Sequence, residues 1–153
     1  MTVSRVTDEL KLCQNPATEE LSALDRRCFL PPWEADSYGS LLSQPAVGAW
    51  SLRTPEGPVG FLCWQQVGDE AELYRIGIVP ERRGEGLGLW LMRAWLVELG
   101  GRGVRRVLLE VRAGNAPAAG LYQRAGFSPA GVRRGYYANP AEDALIFEKN
   151  LGG

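Results

Sequence analysis

The chain has 153 residues, 17 basic and 18 acidic side chains, a net charge of −1 and an apolar share of 45%, which is the size and make-up of one domain over 1–153 with one core. Near neutrality gives no general support for direct nucleic-acid binding; no apolar run approaches the roughly 20 residues of a bilayer span, and MTVSRVTDEL lacks the layout of a signal peptide, so a cytoplasmic protein without a membrane partner is expected. With no histidine, and with Cys13, Cys28 and Cys63 outside CxxC spacing, no metal is expected and all three thiols read as buried and reduced.

In chain order, Asn15 and Pro16 read as a helix cap and first-turn proline, with Glu19 and Glu20 in the first turn and Leu21, Leu24 and Cys28 on one face. That helix stops before Pro31 and Pro32. A short second helix over Glu34 to Leu42 follows, its apolar face made by Tyr38, Leu41 and Leu42. The period then changes: VGAWSLR, PVGFLCWQQV and AELYRIGIV are β-branched and aromatic runs separated by TPEG and GDE, the pattern of an antiparallel meander. Leu87 to Leu99 is apolar on nearly every side, which predicts a largely buried helix closed by Gly100, Gly101 and Gly103. In VRRVLLEVR, alternation puts Val107, Leu109 and Val111 on one face and Leu108 with Glu110 on the other. A helix over Pro117 to Ala125, capped by Asn115, leads into strands near VRRGYY and DALIFEK. The expectation is one α+β sheet, mostly antiparallel, with a parallel step in the unit from residue 72 to 111.

The segment PERRGEGLGL, residues 80–89, sits between a strand and a buried helix, where free backbone N–H groups and the positive end of a helix dipole meet. Arg82 and Arg83 add charge, and basic residues dominate only beyond it: residues 1–80 hold 6 basic and 11 acidic side chains, residues 81–153 hold 11 and 7. An anion site and a plain connector both fit these residues. A Walker loop fails, because no lysine lies between Lys11 and Lys149, and a GxGxxG fingerprint fails at Leu89.

Arg83, Gly86 and Gly88 match the R/Q-x-x-G-x-G/A signature of the GNAT acyltransferases. AELYRIGIVPERRGEGLG, LLEVRAGNAPAAGLYQRAGF, VRRGYY and the earlier RRCFLPPWEADSY fall in the order of the RimI type of that family, the N-terminal alanine acetyltransferases of a ribosomal small-subunit protein. The resemblance covers about residues 5 to 149. Gly84 and Val79 depart from it, standing where the family usually has a basic and an acidic residue.

The resemblance implies a GNAT fold with a central splayed pair of parallel strands, AELYRIGIV and VRRVLLEV, and acetyl-CoA as co-substrate. Backbone groups of Ile76 and Ile78 would meet the pantetheine arm, and Arg83, Gly84, Gly86, Gly88 and Leu89 the pyrophosphate. Glu110 of the LEVR motif would be the general base and Tyr122 the proton donor to the departing thiolate, with Asn115 also touching the cofactor. Trp33, Glu34, Tyr136 and Tyr137 would face the acceptor, a protein N-terminus. Read without the family, Glu110 suits a structural ion pair equally, Tyr122 suits a core position, Asn115 suits a cap, and the four acceptor-side residues suit packing. Transfer to another protein end, a lysine or a small amine, and an acyl-CoA-binding module without turnover, are the competing functions.

Overall fold

The computed structural model describes residues 10–29, 32–33, 35–138 and 141–152. Seven strands pair in the order β1-β2-β3-β4-β5-β7-β6: β1 (Lys11–Gln14), β2 (Val47–Thr54), β3 (Gly57–Val67), β4 (Glu70–Ile78), β5 (Arg106–Arg112), β6 (Ser128–Ala138) and β7 (Ala141–Asn150). Four α-helices accompany them: α1 (Thr18–Cys28), α2 (Ala35–Leu42), α3 (Leu87–Gly101) and α4 (Ala116–Arg124). The mixed sheet with one parallel pair is the α+β architecture expected.

The described chain falls into two compact units. One holds the chain up to Gln65 together with Arg75–Leu91, the other Gln66–Tyr74 together with the chain from Met92 onward.

In the first unit, β1 and β2 are antiparallel from Lys11↔Arg53 to Gln14↔Trp50, and β2 and β3 are antiparallel from Val47↔Gln65 to Thr54↔Gly57. Asn15 does not cap a helix. It takes φ of 54°, a left-handed conformation that asparagine tolerates, and its N–H donates to the Ala49 carbonyl; α1 begins only at Thr18, after Ala17. Leu21, Leu24, Tyr38, Leu52, Phe61 and Leu62 form the buried core with Cys63, whereas Cys13 and Cys28 are only half-buried, so burial of all three thiols is not observed. Gly77 sits under tight packing: a Cβ there would lie 3.0 Å from Phe29 and Phe61 and 3.1 Å from Cys28, so a larger residue would need those side chains to give by a few tenths of an ångström.

In the second unit, β4 and β5 pair in parallel from Glu70↔Arg106 to Leu73↔Leu109, and the last residues of both strands continue past that ladder. β5 and β7 are antiparallel from Arg106↔Asn150 to Arg112↔Ala144. Val107, Leu109 and Val111 are buried and Leu108 and Glu110 are not, which is the alternation read from the sequence. α3 buries Leu91, Met92, Trp95, Leu96 and Leu99 but turns Arg93 and Val97 to solvent, Val97 at 78% exposure, so it is less enclosed than its composition predicts. Gly100 and Gly101 remain helical. Termination comes at Gly103, φ 83°, where Val104 N–H reaches the Leu99 carbonyl and Gly103 N–H the Gly100 carbonyl, a Schellman closure.

Candidate active site

The glycine-spaced turn belongs to the first unit. After β4, Pro80–Arg82 form one 3-10 turn and Arg83 caps it in extended conformation. Gly84 and Gly86 take φ of 82° and 81°, and no heavy atom lies within 4 Å of a Cβ built on either, so they are glycines for conformation and for the open space above them. The first bonded amide of α3 is that of Trp90, donating to Gly86 O at 3.0 Å; the amides of Leu87, Gly88 and Leu89 precede it, as helix starts require. Gly88 and Leu89 therefore lie in the first turn, where backbone donors and the helix dipole favour an anion.

The arginines of this turn are engaged with the protein itself. Arg82 pairs with Glu85 at 3.1 Å. Arg83 donates from Nε to the Ile78 carbonyl at 2.9 Å and from Nη2 to the Cys28 carbonyl at 3.2 Å, tying the end of β4 to the end of α1. Ile76 and Ile78 are both half-buried, and a Cβ on Gly60 would fall 2.6 Å from Ile78 Cδ1.

Trp33, one of the residues expected to face the acceptor, is held with Tyr38 and Arg75 on a buried carboxylate. Asp25 of α1, wholly buried, accepts the Trp33 N–H at 2.9 Å, the Tyr38 hydroxyl, and Arg75 Nη1 at 3.1 and 2.9 Å. The Arg75 guanidinium lies 4.1 Å from the Phe29 ring centre and 4.2 Å from that of Trp33. Burial and the hydrogen bond to Asp25 push the Tyr38 hydroxyl far above the ordinary phenol range. Trp33 is thus held through both its backbone and its ring, while Glu34 lies outside the described residues.

The second unit brings Glu110, Tyr137 and Tyr122 within electrostatic reach in sequence. Glu110 Oε1 forms an ion pair with Arg133 Nε at 3.1 Å. Glu72, whose partner in the β4–β5 ladder is Leu108, is raised above the usual carboxylate range by burial and then by the Glu110 charge. Tyr137 is raised by burial and by Glu110, and its ring sits 4.1 Å from the Arg112 guanidinium, which pairs with Glu142 at 3.2 Å. Tyr122 is 8% exposed on α4, with Phe127 and Phe147 rings at 6.2 and 6.3 Å; burial, then Tyr137, pushes its hydroxyl up to about 12. Asn115 is the cap expected, its Oδ1 accepting from Ala118 N–H at 3.2 Å.

A bulge aims the two tyrosines. Between Arg133↔Ala144 and Tyr137↔Glu142 the β6 strand carries Arg134, Gly135 and Tyr136 against Asp143 alone, and Gly135, φ 61°, donates its N–H to Asp143 Oδ1 at 2.8 Å. Tyr136 stays 52% exposed, 5.2 Å from both the Tyr137 ring and the Arg133 guanidinium. The sequence reading singled out neither Arg133 nor the Asp25–Arg75 pair. Both depend on partners tens of residues away, and only strand pairing could reveal them. Among the described residues no cluster of ligands suited to a metal ion is found, and no helix is long and apolar enough to cross a membrane.

The acetyltransferase (GNAT) family model matches residues 18–127. Over 124 residues the chain is 37% identical to the putative ribosomal protein bS18-alanine N-acetyltransferase of Bacillus subtilis (strain 168), covering 80% of this chain and 82% of that one. The ribosomal protein bS18-alanine N-acetyltransferase of Escherichia coli (strain K12) is 35% identical over 125 residues, 80% and 84% of the two chains. The crystal structure of the ribosomal-protein-S18-alanine N-acetyltransferase from Escherichia coli superposes with a TM-score of 0.86 at 30% identity, over 94% and 96% of the chains.

Proposed function

Because the chain belongs to the acetyltransferase (GNAT) family and is an N-acetyltransferase of its RimI branch, we propose that it carries an acetyl group from acetyl-CoA to the N-terminal α-amine of a protein, the N-terminal alanine of a ribosomal small-subunit protein. The observation that carries this reading is the 35–37% identity, over four fifths of the chain, to relatives named for that reaction. Such an acceptor implies work in the cytoplasm, as one domain.

The turn fits the phosphates of coenzyme A through its backbone. Gly84 and Gly86 leave room for an anion, the amides of Leu87, Gly88 and Leu89 supply donors, and Arg83 holds the turn to β4 instead of contributing a free side chain. Asn115, with its Oδ1 on the Ala118 amide, keeps its side-chain NH2 for the cofactor, and the edge of β4 at Ile76 and Ile78 is the backbone offered to pantetheine. Acetyl-CoA supplies a thioester whose thiolate leaves readily.

Glu110 takes the proton from the acceptor. An α-amine has a pKa near 7.7–8.0, so a sizeable fraction is neutral at cell pH, whereas a lysine near 10.4 is almost wholly charged. One half-buried carboxylate acting through water suffices for the first and serves the second poorly, which supports a protein end as acceptor. Tyr122 keeps its proton through neutral pH. With its hydroxyl at about 12, full transfer to a thiolate near 8.5 would be uphill by about 5 kcal/mol, so its role is a hydrogen bond to the departing sulfur. Trp33, Tyr136 and Tyr137 contact the acceptor.

The test is thiol release from acetyl-CoA with three peptides: a free N-terminal alanine peptide, the same peptide N-blocked, and one offering only a lysine amine. Release that requires the free α-amine supports the reading. Release with the lysine peptide alone, or none with any peptide, overturns it.

A further inference from the structure

Resting on the assignment of Glu110 as base, we propose that Arg133 is a positioning residue for that carboxylate, fixing one oxygen so that the other meets the acceptor amine or its water. Glu110, Ile146 and Gly131 form one row across β5, β7 and β6, and Arg112, Ala144 and Arg133 form the next row on the same face. The Arg133 side chain therefore crosses β7 diagonally, over the small Ala144, to reach Glu110 Oε1 at 3.1 Å. Its backbone is secured, because Arg133 is the last β6 residue in register before the bulge.

Only Oε1 is engaged by that ion pair, which leaves Oε2 for an amine or water. Glu72 on β4 and Tyr137 beyond the bulge both feel the Glu110 charge and neither is a cation, so the ion pair with Arg133 is the contact through which β6 holds this carboxylate. A pair with 55% and 21% of its side chains exposed adds little to stability. Its conserving effect is on orientation: a base displaced by about 1 Å can lose up to a hundredfold in rate.

The experiment is a double-mutant cycle in acetyl transfer to the free-alanine peptide, using Arg133→Gln and Glu110→Gln, with Arg133→Lys as rescue. Arg133→Gln should lower kcat roughly ten- to hundredfold, leave KM for acetyl-CoA unchanged and shift Tm by no more than about 4 °C. In the Glu110→Gln background the same change should cost less than about twofold, because there is no base left to aim. Arg133→Lys, whose ammonium can reach the same oxygen, should restore most of the loss. Equal losses in both backgrounds, or no loss at all, overturn the proposal while leaving the transfer reaction standing. No transfer by the wild-type enzyme to any free α-amine overturns the assignment of the base and this proposal together.

Discussion

Replacing Asp25 should destabilise the protein more than any other single change of a charged residue among those described. Its carboxylate is wholly buried and holds Arg75 at 2.9 Å, the Tyr38 hydroxyl and the Trp33 amide. In Asp25→Ala the Arg75 guanidinium loses its counter-charge while still confined between Phe29 and Trp33. Removing one member of a buried pair costs about 3–5 kcal/mol, and Arg75, 19% exposed, can recover some hydration, so the lower end, about 3 kcal/mol, applies. For a chain of this length that lowers Tm by about 6–12 °C. Removing both charges should recover part of the loss: Asp25→Leu with Arg75→Met takes away the charge and its partner together, and should be more stable than Asp25→Ala while remaining below wild type, because the buried Tyr38 hydroxyl and the Trp33 N–H still lack their acceptor. Urea unfolding at pH 7 followed by tryptophan fluorescence measures all three proteins. A loss below about 1 kcal/mol in Asp25→Ala, or a double variant no better than the single one, would refute the reasoning.

Three further outcomes follow from the geometry. Tyr122→Phe should lower kcat by roughly a hundredfold, as loss of one aimed donor does, with acetyl-CoA KM and Tm nearly unchanged, because the ring keeps its Phe127 and Phe147 neighbours; unchanged kcat in steady-state assays would remove Tyr122 from the mechanism. Burial raises both the Cys63 thiol and the Tyr122 hydroxyl to about 12, from 9.0 and 10.0. Each raised group contributes stability in full below its unfolded value and loses it as pH climbs to the folded one, so unfolding free energy should decline between about pH 9 and 12, and less steeply in Cys63→Ala with Tyr122→Phe. Denaturant titrations from pH 8 to 12 read that slope directly, and equal slopes in the two proteins would exclude these groups. Gly86→Ala, forced to φ of 81°, should cost about 1–2 kcal/mol and weaken coenzyme A binding in calorimetry, and tighter binding would contradict the role given to the turn.

Periodicity is most informative where one face of an element is in the core, as in β5, and least so in β6, which has no buried residue. The alternation of Val107, Leu109 and Val111 alone puts Glu110 on the face of β5 turned from the core, where the structure has it. Local chemistry was less reliable where one residue has two uses. Asn15 can cap a helix or enter a left-handed turn, and the hydrogen bond from its N–H to the carbonyl of Ala49, a residue of β2, selects the turn. Likewise Gly100 and Gly101 can end a helix, but Gly103 alone has the positive φ that the closure needs. Long-range pairs were not legible at all. Asp25 and Arg75 stand 50 residues apart, and Arg133 finds Glu110 only through the register of β6 on β7 and of β7 on β5. These contacts depend on which strands become neighbours, and single-sequence pattern is silent on that.

The arginine of the R/Q-x-x-G-x-G/A signature does different work here from the one its sequence position suggests. Arg83 invites the reading of a cation facing a phosphate, yet its guanidinium donates to the carbonyls of Ile78 and Cys28. A buried or half-buried carbonyl left without a donor is costly, and these two lie at the ends of β4 and α1, where regular pairing stops. Removing Arg83 would free both ends at once. The loss of anion binding would then come from a turn that no longer presents its amides, with the missing charge as a smaller part. Arg83→Lys separates the two effects, since it keeps the charge but cannot donate from two fixed nitrogens to two carbonyls. If coenzyme A affinity falls as far in Arg83→Lys as in Arg83→Ala, the clamp is what matters; if lysine restores it, the charge is.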